Sequence, residues 1–150
     1  MKTDKPKIKI LLIDDDATLR KVYEMQFESY PEYQLLLADN AQQAEEVIKK
    51  KPALILLDLI MGKKAGVPIE KMDKNHGFNL LNFLKLEEGL KDIPVIVFSN
   101  LDNEEDKRRA KAAGAEDYWV KGQLLPSEVI ERIRDFLQLE EARSKIQSIR

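Results

Sequence analysis

The sequence predicts a single-domain α/β fold in which a five-stranded parallel sheet carries helices on both faces. Five short apolar segments alternate along the 150 residues with five segments of helical spacing, and this alternation produces parallel sheets with right-handed crossovers. Residues 53–57 form an unbroken apolar run, which is typical of a strand buried on both faces in the middle of such a sheet. A chain of this length can form one domain with a substantial hydrophobic core.

Each predicted strand is a short apolar segment, and most are rich in β-branched or aromatic residues. The five strands cover residues 8–13, 33–38, 53–57, 93–98 and 116–120. The first ends in three consecutive aspartates and the third ends at Asp58. Ser99 follows the fourth strand, and Lys121 follows the fifth.

The spacing of apolar residues and the capping signals predict five helices. Apolar residues at helical spacing lie within 19–27, 41–48 and 78–86, a polar helix follows the cap at Asp102 and runs to about Ala113, and a last helix runs from about residue 126 almost to the C-terminus. Asp16 is a suitable N-cap for the first helix. Asp39-Asn40, followed by Gln42-Gln43, predicts a capping box at the second helix, and Asp102 with Glu105 predicts one at the fourth. Pro52, Gly89 and Gly114 mark the ends of the second, third and fourth helices.

Composition excludes several classes of protein. The formal net charge of −2 gives no reason to expect non-specific nucleic-acid binding. The chain has no cysteine and one histidine, which excludes disulfides and the common zinc sites and fits a cytoplasmic protein. No apolar run approaches the length of a membrane span, and the N-terminal apolar segment is too short for a signal peptide.

Polar side chains at four of the five strand ends could act together, because the carboxyl ends of parallel strands share one edge of the sheet. The set consists of Asp14, Asp15, Asp16, Asp58, Ser99 and Lys121. Each member has an ordinary structural alternative: a helix cap for Asp16 or Ser99, a solvated loop acid for the other aspartates, and a surface lysine for Lys121.

As a set, these residues suit phosphoryl chemistry. Clustered carboxylates repel one another unless a cation or a proton joins them, and oxygen ligands without Cys or His favour Mg²⁺. A carboxylate such as Asp58 can act as a nucleophile and form an aspartyl-phosphate. A metal, a lysine and a hydroxyl group would stabilise charge on the phosphoryl group during its transfer.

Over about residues 8–138 the chain resembles the response regulator receiver domain of two-component signal transduction. The resemblance rests on residues 11–16, residues 56–61, the Gly77 turn before the third helix, residues 95–99 and residues 117–121. It implies the flavodoxin-like doubly wound fold with strand order 2-1-3-4-5. It also implies a receiver domain over residues 1–138, with a long insertion at about 62–76, and an extension of the last helix over residues 139–150.

The resemblance implies that Asp58 is the phosphoacceptor. Asp15 and Asp58 would ligate Mg²⁺, or Mn²⁺ as a substitute, and Asp14 would help through a water. The backbone carbonyl of Ile60 would supply a further ligand.

Three more residues receive roles from the same resemblance. Ser99 would bond a phosphoryl oxygen, and Lys121 would pair with the phosphoryl group or, before transfer, with Asp58. Tyr118 matches the aromatic residue that rotates inward as Ser99 moves toward the phosphate. The alternative for Tyr118 is a half-buried strand aromatic with no switching role.

The implied function is signalling. A histidine kinase, a phosphotransfer protein or a small acyl phosphate would phosphorylate Asp58, and the changed conformation would be read by an output protein. The chain would not be an enzyme beyond self-phosphorylation and slow self-dephosphorylation. Two alternatives remain: an interaction module that signals without phosphate, and a Mg²⁺-dependent phosphohydrolase, which would require an acid where this chain has Ile60.

The chain departs from the family pattern in three places. Gly62 and Gly122 stand where the family usually has proline, and the second change places the family's cis peptide in doubt. The insertion at 62–76 is longer than the family needs, and its lysines could reach the anionic site or a partner; these are Lys63, Lys64 and Lys71. The alternative is a tolerated surface insertion.

The last helix carries a second apolar stripe beyond its core face. Leu139, Ala142, Ile146 and Ile149 follow the spacing of a and d positions. They predict either pairing with a partner helix or a second copy of the chain, or a frayed amphipathic tail.

Overall fold

The computed structural model describes residues 5–62 and 66–149, which contain a five-stranded parallel sheet. The strands are β1 (Ile8–Ile13), β2 (Tyr33–Ala38), β3 (Leu54–Leu57), β4 (Val95–Ser99) and β5 (Asp117–Val120). Their spatial order is β2-β1-β3-β4-β5, and all four neighbouring pairs are parallel. The predicted fold class and strand order are therefore confirmed.

Five α-helices accompany these strands in the described part of the chain. They are α1 (Ala17–Phe27), α2 (Ala41–Val47), α3 (Asn75–Leu86), α4 (Glu104–Ala112) and α5 (Pro126–Ile149). Because side chains alternate across a strand, each strand supplies residues to two hydrophobic clusters, one on each face. Leu11 and Leu57 belong to the cluster beneath α2, α3 and α4, whereas Leu12 and Leu56 belong to the cluster beneath α1 and α5.

Side-chain caps fix the starts of the first two helices as predicted. The Asp16 carboxylate accepts hydrogen bonds from the amides of Thr18 and Leu19, at 3.0 and 3.1 Å. Asn40 caps α2 by accepting the Gln43 amide at 2.8 Å, and the Gln43 side chain accepts the amide before Asn40 in return.

The predicted cap of α4 is wrong by one residue. Asn103, and not Asp102, accepts the amide of Asp106 at 2.8 Å and starts the helix. Asp102 instead lies 2.7 Å from the Lys107 ammonium and accepts a bond from Gln123 at 3.1 Å. Because Lys107 and Gln123 occupy the Asp102 carboxylate, the neighbouring Asn103 side chain caps the helix instead.

Gly77 does not form a turn before the third helix. It is a buried residue inside α3, which already begins at Asn75. The helix passes so close to the backbone of Leu59 that a Cβ on Gly77 would lie 2.6 Å from the Leu59 carbonyl carbon. Glycine is required here because two backbones touch, and not because the chain turns.

The described part of the insertion has more structure than its sequence indicates. A short 3₁₀ turn covers Ile69–Lys71. Ile69 and Met72 pack against the hydrophobic cluster beneath α2, α3 and α4. Lys71 is exposed. Lys63 and Lys64, which were expected to reach the anionic site or a partner, lie outside the described residues.

Helix α5 is 24 residues long and changes character along its length. Val129, Ile130 and Ile133 are fully buried, whereas Leu139 and Ile146 are 51% and 58% exposed. No described helix combines the length and apolarity that a membrane crossing needs.

Candidate functional site

The register of the sheet brings the predicted polar residues to one edge. Ile13 pairs with Leu57, so the next residues, Asp14 and Asp58, leave neighbouring strands side by side. Ser99, at the end of β4, pairs with Val120, and Lys121 follows directly. Asp14, Asp58 and Ser99 are almost completely buried, so none of the three is a solvated loop residue.

Three carboxylates converge at this edge. Asp14, Asp15 and Asp58 each offer an oxygen, and these oxygens lie within 4.8 Å of one another. Asp14 and Asp58 are 0% and 1% exposed, and Asp15 is half-buried. Buried acids at this spacing repel one another strongly unless positive charge is close.

Lys121 supplies such a charge. Its ammonium lies 2.9 Å from Oδ2 of Asp58 and also pairs with Asp14. The lysine is itself only 8% exposed, and it begins a short 3₁₀ turn, Lys121–Gln123, that follows β5. The buried ammonium of Lys121 therefore bridges the two buried acids.

Backbone amides orient the carboxylates further. The amide of Ile60 donates to Oδ1 of Asp58 at 3.1 Å, and the amide of Asp16 donates to Oδ1 of Asp14 at 2.9 Å. The amide of Gly62 donates to Oδ2 of Asp15 at 2.6 Å. Gly62 has a φ of +84°, a conformation that glycine adopts without the cost that other residues incur.

Sequence reasoning missed one further contributor, Arg20. Its guanidinium donates to the backbone carbonyl of Asp14 at 2.7 Å from the first turns of α1. This bond ties α1 to the end of β1. No sequence motif predicts this hydrogen bond, because an arginine on an amphipathic helix is ordinarily a surface residue.

The three carboxylates fit a divalent cation by their chemistry. They are oxygen donors that approach one another closely, which is the donor set that Mg²⁺ prefers and Mn²⁺ accepts. Asp15 is the most accessible of the three. The backbone of Ile60 lies beside Asp58, and the ligand role of its carbonyl stays a prediction.

Ser99 and Tyr118 meet at the loop that leaves β4. The Ser99 hydroxyl accepts a hydrogen bond from the Leu101 amide at 3.2 Å, and the Tyr118 hydroxyl donates to the Leu101 carbonyl at 2.7 Å. Tyr118 is half-buried. Its position is compatible with both interpretations made from the sequence, the switch residue and the ordinary strand aromatic.

The pKa values of two tyrosines lead to a prediction about alkaline stability. Burial raises the pKa of Tyr118, with the Asp106 charge adding to the effect, and burial and then the Asp14 charge raise the pKa of Tyr23. Unfolded tyrosines ionise near 10.0, so the unfolded state releases protons that the folded state keeps. We expect the free energy of unfolding to fall as pH rises above that value.

Urea unfolding at pH 8 and at about pH 11 measures this loss, with Tyr118→Phe and Tyr23→Phe as comparisons. Each phenylalanine variant should lose less stability between the two pH values than the wild type does. Equal losses in all three proteins would contradict the assignment.

Two loops at this edge are joined by a bond that the family's usual proline could not make. The amide of Gly122 donates to Oδ1 of Asn100 at 3.0 Å, and proline has no amide hydrogen. The described residues contain no cis peptide bond, so the bond before Gly122 is trans. The change from proline to glycine thus adds a link between the loops after β4 and β5.

Comparison with known proteins decides the family. A model of the response regulator receiver domain matches residues 10–134. The chain belongs to the response regulator receiver domain family.

It is 32% identical over 130 residues to the phosphate regulon transcriptional regulatory protein PhoB of Pseudomonas aeruginosa, covering 86% of this chain and 51% of that protein. It is 32% identical over 133 residues to the probable transcriptional regulator ycf27 of Porphyridium aerugineum, covering 88% and 49%. The chain therefore spans about half the length of these relatives.

Solved structures agree on the receiver fold. A putative response regulator from Chloroflexus aurantiacus has a TM-score of 0.70 at 22% identity, with 89% of this chain and 99% of that chain covered. The Mn²⁺-bound form of response regulator Rcp1 has a TM-score of 0.64 at 24% identity, covering 81% and 86%. At these identities the likeness shows the fold alone.

Phosphorylation and Mg²⁺ binding are typical of receiver domains, whose ion binds in an acidic pocket. In this chain Asp14, Asp15 and Asp58 form an acidic cluster at the edge of the sheet. The roles of the individual residues in this chain remain predictions.

Proposed function

We propose that this receiver domain accepts a phosphoryl group on Asp58 from a histidine kinase, a phosphotransfer protein or a small acyl phosphate. The observation that carries the proposal is the setting of Asp58. Its carboxylate is 1% exposed, lies 2.9 Å from the Lys121 ammonium and shares the sheet edge with two further acids. An acid placed there for structure alone would gain nothing from two anionic neighbours.

In the proposed reaction, a carboxylate oxygen of Asp58 attacks the phosphorus of the donor. The bond between phosphorus and the donor atom breaks, and the donor leaves as a histidine side chain or a carboxylate. Bound Mg²⁺, held by Asp15 and Asp58 with Asp14 in support, would neutralise charge on the phosphoryl oxygens. The Lys121 ammonium would have to move only from the Asp58 carboxylate to the new phosphoryl group, since it already lies 2.9 Å from Asp58.

Readout would run from Ser99 to the surface. The Ser99 hydroxyl would turn from the Leu101 amide to a phosphoryl oxygen, which changes the loop where Tyr118 is bonded. The face formed by α4, β5 and α5 would then shift between two states. An output protein that binds one of these states more tightly reads the signal.

The structure gives the two alternatives less support. A phosphohydrolase would need an acid at position 60, and there the side chain of Ile60 is fully buried in the core. A module that signals without phosphate would have no use for a buried lysine between two buried acids. That arrangement costs desolvation free energy which apolar residues would avoid.

The stoichiometry of phosphate transfer tests the reaction type. Incubation with Mg²⁺ and acetyl phosphate should add one phosphoryl group per chain, and a chelator should prevent the addition. A phosphoester such as p-nitrophenyl phosphate should not be turned over. Continuous release of p-nitrophenol would favour the phosphohydrolase, and no mass gain with acetyl phosphate would favour the phosphate-independent module.

The lifetime of the phosphorylated form is a separate prediction. Position 60 presents no polar side chain to an attacking water, and the Asn100 side chain is held by the Gly122 amide. We expect slow self-dephosphorylation, measured as the decay of the phosphorylated mass after the donor is removed. A half-life of only seconds would contradict this expectation.

The partners implied are a kinase or phosphotransfer protein and an output protein, with no nucleic acid or membrane contact by this domain and a cytoplasmic location. A second copy could pair through the exposed stripe of α5, where Leu139 and Ile146 lie uncovered. Sedimentation of the wild type and Ile146→Asp tests this. A self-association that the substitution does not weaken would exclude the stripe as the interface.

A further inference from the structure

The insertion is joined to helix α4 by an ion pair that the receiver function does not explain. The Lys74 ammonium, at the start of α3, lies 2.6 Å from Oδ1 of Asp106. Asp106 is 1% exposed although it belongs to an otherwise polar helix. The side chain of Lys74 is 37% exposed, so the pair has a buried anion and an accessible cation.

Asp106 is held on its other side by the helix start. Its Oδ2 accepts a bond from the Asn103 side chain at 2.6 Å, and its amide donates to Asn103 Oδ1 at 2.8 Å. A second contact between the same helices lies nearby, where the Arg109 guanidinium sits 3.8 Å above the Phe78 ring. The first turns of α3 and α4 are thus fixed to each other.

The start of α4 is in turn continuous with the loop that meets the candidate site. Leu101 is 4% exposed and lies two residues before Asn103. Its amide donates to Ser99 and its carbonyl accepts the Tyr118 hydroxyl. The charges of Asp106 and Asp58 both act on the Tyr118 phenol, so the field of Asp106 reaches the same group as that of the proposed phosphoacceptor.

We propose that Lys74 and Asp106 are positioning residues that couple the insertion to the phosphoryl site through the start of α4. Lys74 pairs with the buried Asp106 at the start of α4 and so fixes the loop whose Leu101 bonds Ser99 and Tyr118. The proposal rests on the proposed function for its effect on phosphoryl binding. By linkage, anything that moves Lys74 changes the affinity of the site, and binding at the site changes the insertion.

Loss of the Lys74 charge is expected to weaken anion binding at the phosphoryl site. In Lys74→Met, Asp106 becomes a buried carboxylate without its lysine partner, and it relieves this by taking up a proton or by moving toward water and taking the helix start with it. While Asp106 stays ionised, its unbalanced negative field also opposes an anion at Asp58. Both effects weaken anion binding, whereas the three metal-binding acids keep their own contacts.

Calorimetric titration with beryllofluoride, an anionic phosphoryl mimic, in saturating Mg²⁺ tests the proposal. Lys74→Met should weaken beryllofluoride binding by about tenfold without weakening Mg²⁺ binding, since an added negative field opposes an anion and not a cation. Lys74→Arg should behave like the wild type, and so should Lys71→Met, which removes an exposed lysine from the same insertion.

A double variant separates a specific effect from general damage. Lys74→Met with Asp106→Asn removes the stranded anion, so beryllofluoride affinity should recover toward that of the wild type. The proposal is overturned if Lys74→Met binds like the wild type, if Mg²⁺ affinity falls in parallel, or if the double variant is no better than the single one.

Hydrogen exchange without any ligand distinguishes failure of this proposal from failure of the proposed function. Amides of residues 100–107 should exchange faster in Lys74→Met than in the wild type or in Lys71→Met. If the wild type neither binds beryllofluoride nor accepts phosphate, the proposed function fails, and this exchange difference alone decides the coupling. Equal exchange in all three proteins would overturn it.

Discussion

Lys121→Met is expected to lower the free energy of unfolding by about 3 kcal/mol in the absence of Mg²⁺. The substitution keeps the length of the apolar stem and removes the ammonium that lies against Asp58 and Asp14. Two carboxylates that are 1% and 0% exposed then face each other without the cation that bridges them. Breaking a buried ion pair costs more than the pair itself contributes, because the remaining charges cannot reach water.

Mg²⁺ should restore much of this stability and should bind Lys121→Met more tightly than the wild type. The lysine and a metal held by these carboxylates would neutralise the same acids, so removing the lysine should favour the metal. Ligands that bind only the folded state stabilise it according to their concentration and affinity. Urea unfolding with and without Mg²⁺ measures the effect.

Lys85→Met is the matched control. Lys85 is a mostly buried lysine, 11% exposed at its side chain, that lies 3.0 Å from Glu116 away from the acid cluster. Its removal should cost stability that Mg²⁺ does not restore. Equal recovery of both variants by Mg²⁺, or a Lys121→Met protein as stable as the wild type, would contradict the arrangement described for the site.

Gly77→Ala is expected to destabilise the protein by about 3 kcal/mol. The new methyl group would lie 2.6 Å from the carbonyl carbon of Leu59, so α3 or the loop after β3 must move. The sign of the effect is informative, because alanine in place of glycine ordinarily stabilises a helix by up to about 1 kcal/mol. The displaced loop follows Asp58, so the proposed phosphorylation of Asp58 should slow as well.

Gly122→Ala controls for the loss of glycine itself. A Cβ at Gly122 would meet Asn100 Oδ1 at 3.5 Å, which is an ordinary contact, so its stability should change little. Thermal or urea unfolding of both variants gives the comparison. A Gly77→Ala protein that is as stable as the wild type would show that the two backbones are farther apart than described.

The outline of the fold was predictable because it depends on local patterns. Apolar runs and helical spacing located the five strands and the five α-helices of the described residues, and the common direction of parallel strands placed the acids, Ser99 and Lys121 on one edge. The error at α4 shows the limit of local reasoning. Asp102 and Asn103 are both good caps, and the choice depends on Lys107 and Gln123, which only the folded chain brings to Asp102.

Most of the contacts that were missed join segments distant in sequence, although the bond from Arg20 to the Asp14 carbonyl spans only 6 positions. The bond from Gly62 to Asp15 spans 47 positions, and the ion pair of Lys74 with Asp106 spans 32. A single sequence carries no signal for either. Gly77 was noticed but misinterpreted as a turn residue, because close approach of two backbones and a sharp turn both call for glycine.

Measurement of intact mass tests most directly whether Asp58 accepts the phosphoryl group. Wild type, Asp58→Asn and Asp16→Asn would each be incubated with Mg²⁺ and acetyl phosphate. Asp16 is an exposed acid at the same edge whose side chain caps α1, so Asp16→Asn controls for loss of a nearby charge. We predict a gain of one phosphoryl group in the wild type and in Asp16→Asn, and none in Asp58→Asn. No gain in the wild type, or an equal gain in Asp58→Asn, would contradict the claim.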